Sequence, residues 1–194
     1  MKLIFESTRL GFRAFKKSEA LALYQHHSEK DYKRWFPNES YGDIKEARAA
    51  IDFFRGRVKK KRMPYVLAIE LPETGELIGD VGVNEFWDKS GRVEIGYSIC
   101  EKYQGAGYAA EAVMAMTEFV MSAFSIKHLY GRVMQGNEAS CRVLQKSGYT
   151  YQGIEMGAAD DPYGNGMMIY LHNECEDPPC TTPTTKPSSP RRAG

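Results

Sequence analysis

No stretch of this 194-residue chain stays apolar for long. A membrane-spanning helix needs about 18 or more consecutive apolar residues, so no membrane role is expected. The start, Met1-Lys-Leu-Ile-Phe-Glu, turns polar too soon for a secretory signal. Cysteine is scarce: Cys100, Cys141, Cys175 and Cys180 match neither a zinc-ligand spacing nor a compact disulfide framework. No metal is therefore expected, and a soluble, reduced, cytoplasmic protein is the default. Neither charge is in excess. Lys and Arg number 26 against 25 Asp and Glu, a net of +1, so the composition calls for no nucleic acid or other polyanion. No Gly-Lys-Ser/Thr follows a glycine turn, which excludes a P-loop.

With 42% hydrophobic residues there is enough for one packed domain, expected over residues 1–174. From residue 175 to 194, Pro, Thr, Ser, Lys and Arg dominate, and a disordered tail is expected. Thr8 to Phe15 alternates like a first strand. Ser18 is placed to cap a helix from Glu19 to His26, whose end would leave His26 and His27 solvated. Asp31 to Tyr41 is aromatic and irregular, broken at Pro37. Asp43 is the expected cap of a helix over Ile44–Lys59, with the basic run to Arg62 as its solvated end. Tyr65–Glu70 and Glu76–Phe86 read as a hairpin, and Trp87 to Gly91 turns the chain into a third strand. Gly79 and Gly82 inside that hairpin suggest a bulge or a close backbone neighbour. A helix to Phe124, a strand over His128–Met134, a helix from Glu138 to about Ser147 and strands over Tyr149–Ile154 and Met167–His172 complete the pattern.

Everything is organised around Val93 to Ala110. A strand-like run to Cys100 meets a polar turn, Glu101 to Gln104. Gly105-Ala106-Gly107 then opens a helix at Tyr108-Ala109-Ala110. The first N–H groups of a helix lack internal partners, and the dipole there is positive, so strand, glycine turn and helix start can cradle phosphate. A dinucleotide fingerprint would require an acidic residue roughly 20 positions on. The next strand ends instead in Gln135-Gly136-Asn137, which weakens that reading.

Gln104-x-x-Gly107-x-Ala109, followed by Asn137-Glu-Ala-Ser140-Cys-Arg-Val-Leu144-Gln-Lys146-Ser-Gly148-Tyr149, resembles the cofactor motifs of the GNAT acetyltransferases. Glu94-Ile-Gly-Tyr97 resembles the branch that acetylates ribosomal-protein N-termini. The likeness runs from about Ser7 to Glu174. It implies an α/β (α+β) fold: a mixed, largely antiparallel, twisted sheet of six or seven strands, helices on both faces, and a central strand splayed from its parallel neighbour. It implies acetyl-CoA as co-substrate. Backbone groups of Ile99 and Cys100 would pair with the pantetheine arm in that splay. Gln104, Gly105, Ala106, Gly107, Tyr108 and Ala109 would receive the pyrophosphate, with Asn137 and Lys146 completing the cofactor set. Trp35, Phe36 and Trp87 would wall the acceptor.

The chain departs from the commoner family pattern in one place. Gln145 stands where many members have a tyrosine that protonates the thiolate. The resembling branch uses a serine three residues after the Asn, which makes Ser140 the candidate acid. The same hydroxyl could instead satisfy backbone donors in the first turn of its helix. Glu94 is the candidate base, or else a structural carboxylate. Cys100 and Cys141 read as small hydrophobes rather than nucleophiles. The implied activity is acetyl transfer to a primary amine, of a peptide N-terminus or a small molecule, in a ternary complex formed by a monomer or homodimer. A non-catalytic acyl-CoA sensor and a dinucleotide-binding oxidoreductase are the alternatives.

Overall fold

The computed structural model describes residues 2–86, 91–157 and 166–173. Trp87, most of the loop before the last strand and the tail from 175 lie outside the described residues.

Among the described residues eight strands form one sheet: β1 Phe5–Glu6, β2 Gly11–Arg13, β3 Tyr65–Leu71, β4 Glu76–Glu85, β5 Val93–Ile99, β6 His128–Met134, β7 Thr150–Glu155 and β8 Met167–Asn173. Their order is β1-β2-β3-β4-β5-β6-β8-β7, and only β5–β6 is parallel. The helices are α1 Ala20–His26, α2 Lys30–Trp35, α3 Ile44–Lys59, α4 Tyr108–Phe124 and α5 Glu138–Lys146.

The mixed, mostly antiparallel sheet agrees with the expectation; the strand count does not. The single first strand expected over Thr8–Phe15 is two short strands joined by a turn at Ser7–Leu10. The turn has a physical cause. Glu111 on α4 accepts from Ser7 Oγ at 2.8 Å and from the Arg9 amide at 2.7 Å, which bends the chain there. Ser18 lies within a 3-10 turn, Lys17–Glu19, and is not a cap; the Glu19 carboxylate holds the Lys16 amide at 2.7 Å instead. Asp43 does cap α3, accepting from the amides of Lys45 and Glu46 at 2.7 and 2.9 Å. The stretch before Pro37 forms α2.

The main core lies between the sheet and α4. Leu67, Ile69, Ile78 and Val81 meet Val113, Met116 and Val120, all fully buried. Truncating such a residue to Ala costs about 2–5 kcal/mol. A second core, with Phe15, Leu23, Ile51 and Ala68, closes the opposite face under α1 and α3.

Two features of the sheet make room for a site. Strands β5 and β6 pair only at Val93, Glu94 and Ile95. Beyond Ile95, β5 follows β4 and β6 follows β8, so a wedge opens between them. Strands β4 and β5 are pressed together at Gly79. A Cβ there would sit 2.1 Å from the Ser98 carbonyl oxygen and 3.0 Å from Ile99 Cα, so only glycine allows the approach.

Candidate active site

The chain leaves β5 at Ile99, makes a 3-10 turn at Glu101–Tyr103, and enters α4 through Gly105 and Gly107. These glycines have φ of +80° and +84°, a region costly for other residues. Gly107 is the N-cap of α4 and has no side chain with which to cap it. Gln104 turns its side chain inward, where Nε2 donates to the Ile99 carbonyl at 2.9 Å. The loop is braced from behind by Arg9, which donates to the Ala106 carbonyl at 3.0 Å and lies 4.6 Å above the Tyr108 ring. Arg9 Nε also donates to Glu111 at 2.7 Å. Burial alone would raise the Glu111 carboxyl, but hydrogen bonds from Ser7 and Arg9 outweigh it and hold the group below the usual carboxylate range.

This loop lines a cavity of about 390 Å³. Of the expected cofactor residues, Ile99, Gln104, Gly105, Gly107, Tyr108, Ala109, Asn137 and Lys146 line it, joined by Arg142. Cys100 and Ala106 do not. The Cys100 amide is engaged by the Ile78 carbonyl at 2.9 Å, and the Ala106 carbonyl by Arg9. The Cys100 thiol is pushed up to about 12, first by burial and then by the charges of Glu29 and Asp80, which agrees with its expected lack of nucleophilicity. Cys141 is half-buried and packs against the main core.

At the inner end of the cavity lies a pair of hydroxyls. Ser140 Oγ is 2.7 Å from the Tyr97 hydroxyl, which is also 3.2 Å from the Ser140 carbonyl oxygen. Asn137 caps α5, its Oδ1 accepting from the Ser140 amide at 3.1 Å. The Ser140 hydroxyl therefore points to Tyr97 and takes no part in the cap. Burial pushes the Tyr97 phenol well up, so it stays protonated. Tyr97 was not among the expected site residues. The signal was its alternation with Val93, Ile95 and Ile99, which places it on the face turned toward α5.

Tyr97, Ser98, Asn137 and Ser140, with Tyr32, Trp35 and Phe36 of the α2 region, also line a second cavity of about 450 Å³ on the other side. Trp35 and Phe36, expected to wall the acceptor, line both cavities. Phe36, Tyr32, His27 and Tyr41 form a continuous stack with ring centroids 4.8, 4.0 and 4.8 Å apart. Three carboxylates line this cavity: Glu39, Asp80 and Glu94. Glu94 is held by Arg132 through Nε at 2.5 Å and Nη2 at 3.1 Å. Glu94 thus lines the cavity as half of an ion pair. Glu39 is surface-accessible as a residue, yet burial of its carboxyl, and next the charge of Asp80, hold it above the usual range.

His26 and His27 are 4% and 6% exposed, which corrects the expectation that they are solvated. The end of α1 abuts β4 and β5, not water. His27 Nε2 is 3.3 Å from Asp80 Oδ2, and its Nδ1 donates to the Glu39 carbonyl at 3.1 Å. His26 lies between Glu29 and Ser98, at 2.8 and 2.7 Å. His26, His27 and Asp80 bring three ligand-type atoms within 4.8 Å of one another, as do His26, Glu29 and Cys100. In both groups the imidazole and carboxylate atoms are already matched by hydrogen bonds. Among the described residues no helix is long and apolar enough to cross a membrane.

Residues 9–150 match the family model described as an acetyltransferase (GNAT) domain. An uncharacterized N-acetyltransferase of Bacillus subtilis, YoaA, is 30% identical over 151 residues, covering 78% of this chain and 85% of that protein. Among solved structures, the ribosomal-protein-S5-alanine acetyltransferase of Vibrio fischeri superposes with a TM-score of 0.73 at 18% identity, covering 89% of this chain and 97% of that one. The microcin C7 self-immunity acetyltransferase, solved with acetyl-CoA and AMP, superposes with a TM-score of 0.71 at 17% identity, covering 87% and 94%.

Proposed function

This chain belongs to the GNAT acetyltransferase family and is an acyltransferase; on that premise we propose that it moves the acetyl group of acetyl-CoA to a primary amine by direct attack in a ternary complex. The observation that carries this reading is the bare N-terminus of α4, with its two left-handed glycines, opening into the cavity beside the β5–β6 wedge. Such an end offers several N–H groups and a positive dipole to an anion. A pyrophosphate on the amides from Gly105 to Ala109 would lead the pantetheine arm down the wedge. The thioester would then arrive beside Tyr97 and Ser140, where the two cavities meet. Arg142 and Lys146 stand on the α5 side of the donor cavity, where they suit further phosphate charge.

The amine enters from the acceptor cavity, where the ionised Asp80 suits a cation and the aromatic stack suits an apolar body. An α-amine, with a pKa of about 7.7–8.0, is partly neutral at pH 7 and ready to attack; a lysine amine near 10.4 is far less so. The nitrogen lone pair forms the C–N bond, and the C–S bond breaks. The departing thiolate takes the Ser140 hydroxyl proton while the Tyr97 phenol donates to the serine oxygen across their 2.7 Å contact, and a proton from water restores the pair to its two neutral hydroxyls. On this reading the missing tyrosine at position 145 is answered by a phenol from β5, which favours catalysis over a non-catalytic acyl-CoA sensor. A peptide N-terminus is the favoured acceptor. The Vibrio fischeri structure, named for a ribosomal-protein alanine, shares the fold, and the cavity holds about 450 Å³, enough for a residue or two.

Acetyl-CoA at millimolar concentration should raise the melting temperature, since ligand bound to the native state adds RT ln(1 + [L]/Kd). Thiol release should then follow when apolar peptide N-termini or small amines are added. Absence of the thermal shift would refute the donor assignment. A shift without turnover on any amine would refute the catalytic one.

A further inference from the structure

Behind the acceptor cavity, side chains from three elements make an unbroken hydrogen-bonded chain. Asp80 on β4 lines the cavity, and its Oδ2 accepts from Ser98 Oγ of β5 at 3.0 Å. Ser98 Oγ is 2.7 Å from His26 Nε2, at the end of α1. His26 Nδ1 is 2.8 Å from Glu29 Oε2, which also accepts from the Glu101 amide at 3.2 Å. The Glu29 side chain is 25% exposed and borders the donor cavity, whereas His26 is almost closed to water.

Two proton arrangements satisfy this chain. In one, Asp80 is ionised and accepts from Ser98, while His26 carries protons on both nitrogens and donates to Ser98 and Glu29. In the other, Asp80 holds the proton and donates to Ser98, Ser98 donates to Nε2, and Nδ1–H donates to Glu29. The two hold the same number of protons and differ only in where one of them sits and in the direction of two hydrogen bonds, so a proton placed on Asp80 can reach His26 without any heavy atom moving far.

We propose that this chain is the exit path for the proton that the attacking amine loses, running from Asp80 through Ser98 to His26 and then by Glu29 to solvent. The proposal rests on the amine-acetyltransferase reading. The N–H bond breaks with its electron pair left on nitrogen, and an O–H bond forms on Asp80. Each later hop makes one O–H or N–H bond and breaks another, and the proton ends in water; nothing is oxidised or reduced. Asp80 is the member that meets the amine, and Ser98 and His26 are positioning residues that act through it. Glu94, the cavity carboxylate on β5, is tied to Arg132 and is less free to accept.

The surroundings favour passage over storage. His27 Nε2 faces the same Asp80 oxygen at 3.3 Å, the Tyr32 ring lies 5.3 Å from His26, and Cys100 and Glu29 border His26 on its outer side. Glu39 and Tyr41 lie beyond His27. Burial alone would raise the Asp80 carboxyl, but His27, followed by His26 and Ser98, holds it below the usual range. Asp80 therefore rests ionised and does not retain the proton. Histidine is the side chain suited to carry it near neutral pH.

Ser98→Ala removes the linking hydroxyl, and Ser98→Thr keeps one. With the best acceptor amine and chemistry shown to be rate-limiting, Ser98→Ala should lower kcat about 10- to 100-fold, at or below the range usual for acid–base groups. Its acetyl-CoA Kd should stay within about twofold. Ser98→Thr should recover most of the rate. The wild-type proton inventory in H₂O/D₂O mixtures should be curved, and that of Ser98→Ala linear. Glu29→Gln, at the solvent edge, repeats the test should Ser98→Ala not fold, and should slow turnover in the same direction. A kcat within twofold of wild type, or equal losses in the Ala and Thr variants, overturns the path. If wild type turns over and the variants are unaffected, the path alone fails. If wild type binds acetyl-CoA but acetylates no amine, the amine-transfer reading fails with it.

Discussion

Ser140→Ala separates chemistry from scaffolding because the cap of α5 belongs to Asn137. The substitution removes one hydroxyl and one contact, the 2.7 Å bond to Tyr97. The phenol is not stranded, since the Ser140 carbonyl oxygen is still 3.2 Å away. A single satisfied hydrogen bond is worth about 0.5–1.5 kcal/mol net. The expected cost is about 1 kcal/mol, or roughly 2–4 °C in Tm for a chain of this length. The kinetic cost should be larger. General acid catalysis contributes about 10²–10⁴-fold, and a loss at or below its low end, about 10- to 100-fold in kcat, is expected because a thiolate leaves readily and water can enter the vacated space. Thiol release under saturating acetyl-CoA, with a pre-steady-state measurement showing chemistry to be rate-limiting, gives kcat; calorimetry gives Tm. Tyr97→Phe should lower kcat similarly. If the two hydroxyls form one relay, the double variant should be little slower than either single one. A Ser140→Ala kcat within twofold of wild type refutes the role of the serine, and multiplicative losses in the double variant refute the relay.

Two further outcomes follow from the donor loop. Gly107→Ala puts a side chain where φ is +84°, though the nearest outside atom is Arg9 Nη2 at 3.6 Å. The cost should be backbone strain of about 1–2 kcal/mol together with at least a tenfold weaker acetyl-CoA Kd by calorimetry; an unchanged Kd would show the loop to be only a turn. The Glu111 carboxyl lies below its unfolded value of about 4.3, so its stabilisation is complete above that pH and is lost as pH falls through the lower folded value. Wild type should therefore lose more stability between about pH 5 and 3 than Glu111→Gln does, as read by urea melts; parallel pH curves would refute the clamp.

Local pattern made much of this legible. The glycine turn, α4, Asp43 before α3 and the Asn137 cap are set by neighbours in sequence, and each is where its residues imply. What escaped were contacts between distant segments. His26 and His27 read as solvated because a helix end usually meets water, but their partners Ser98 and Asp80 are 72 and 53 residues away. Tyr97 and Ser140 are 43 residues apart, and neither position marks the other. The first strand split because Glu111, 102 residues beyond Arg9, seizes its turn. The Cys100 amide, assigned by resemblance to the donor arm, is held by Ile78 through a pairing the motif does not encode.

The break between β5 and β6 makes the sheet two half-sheets joined at three residue pairs, with the proposed donor slot at the open end of the joint. Its width is then a matter of leverage. A small change of angle at Val93–Ile95 is magnified toward Ile99 and Met134, so side chains far from any ligand set how tightly a thin arm is gripped. Helix α4 lies across the joint, packed on β4, β5 and β6. Val113, Met116 and Val120, buried in the core beneath it, would act as a wedge whose volume sets the aperture. Repacking that wedge would tune donor selectivity by acyl-chain girth without altering a residue that touches the donor.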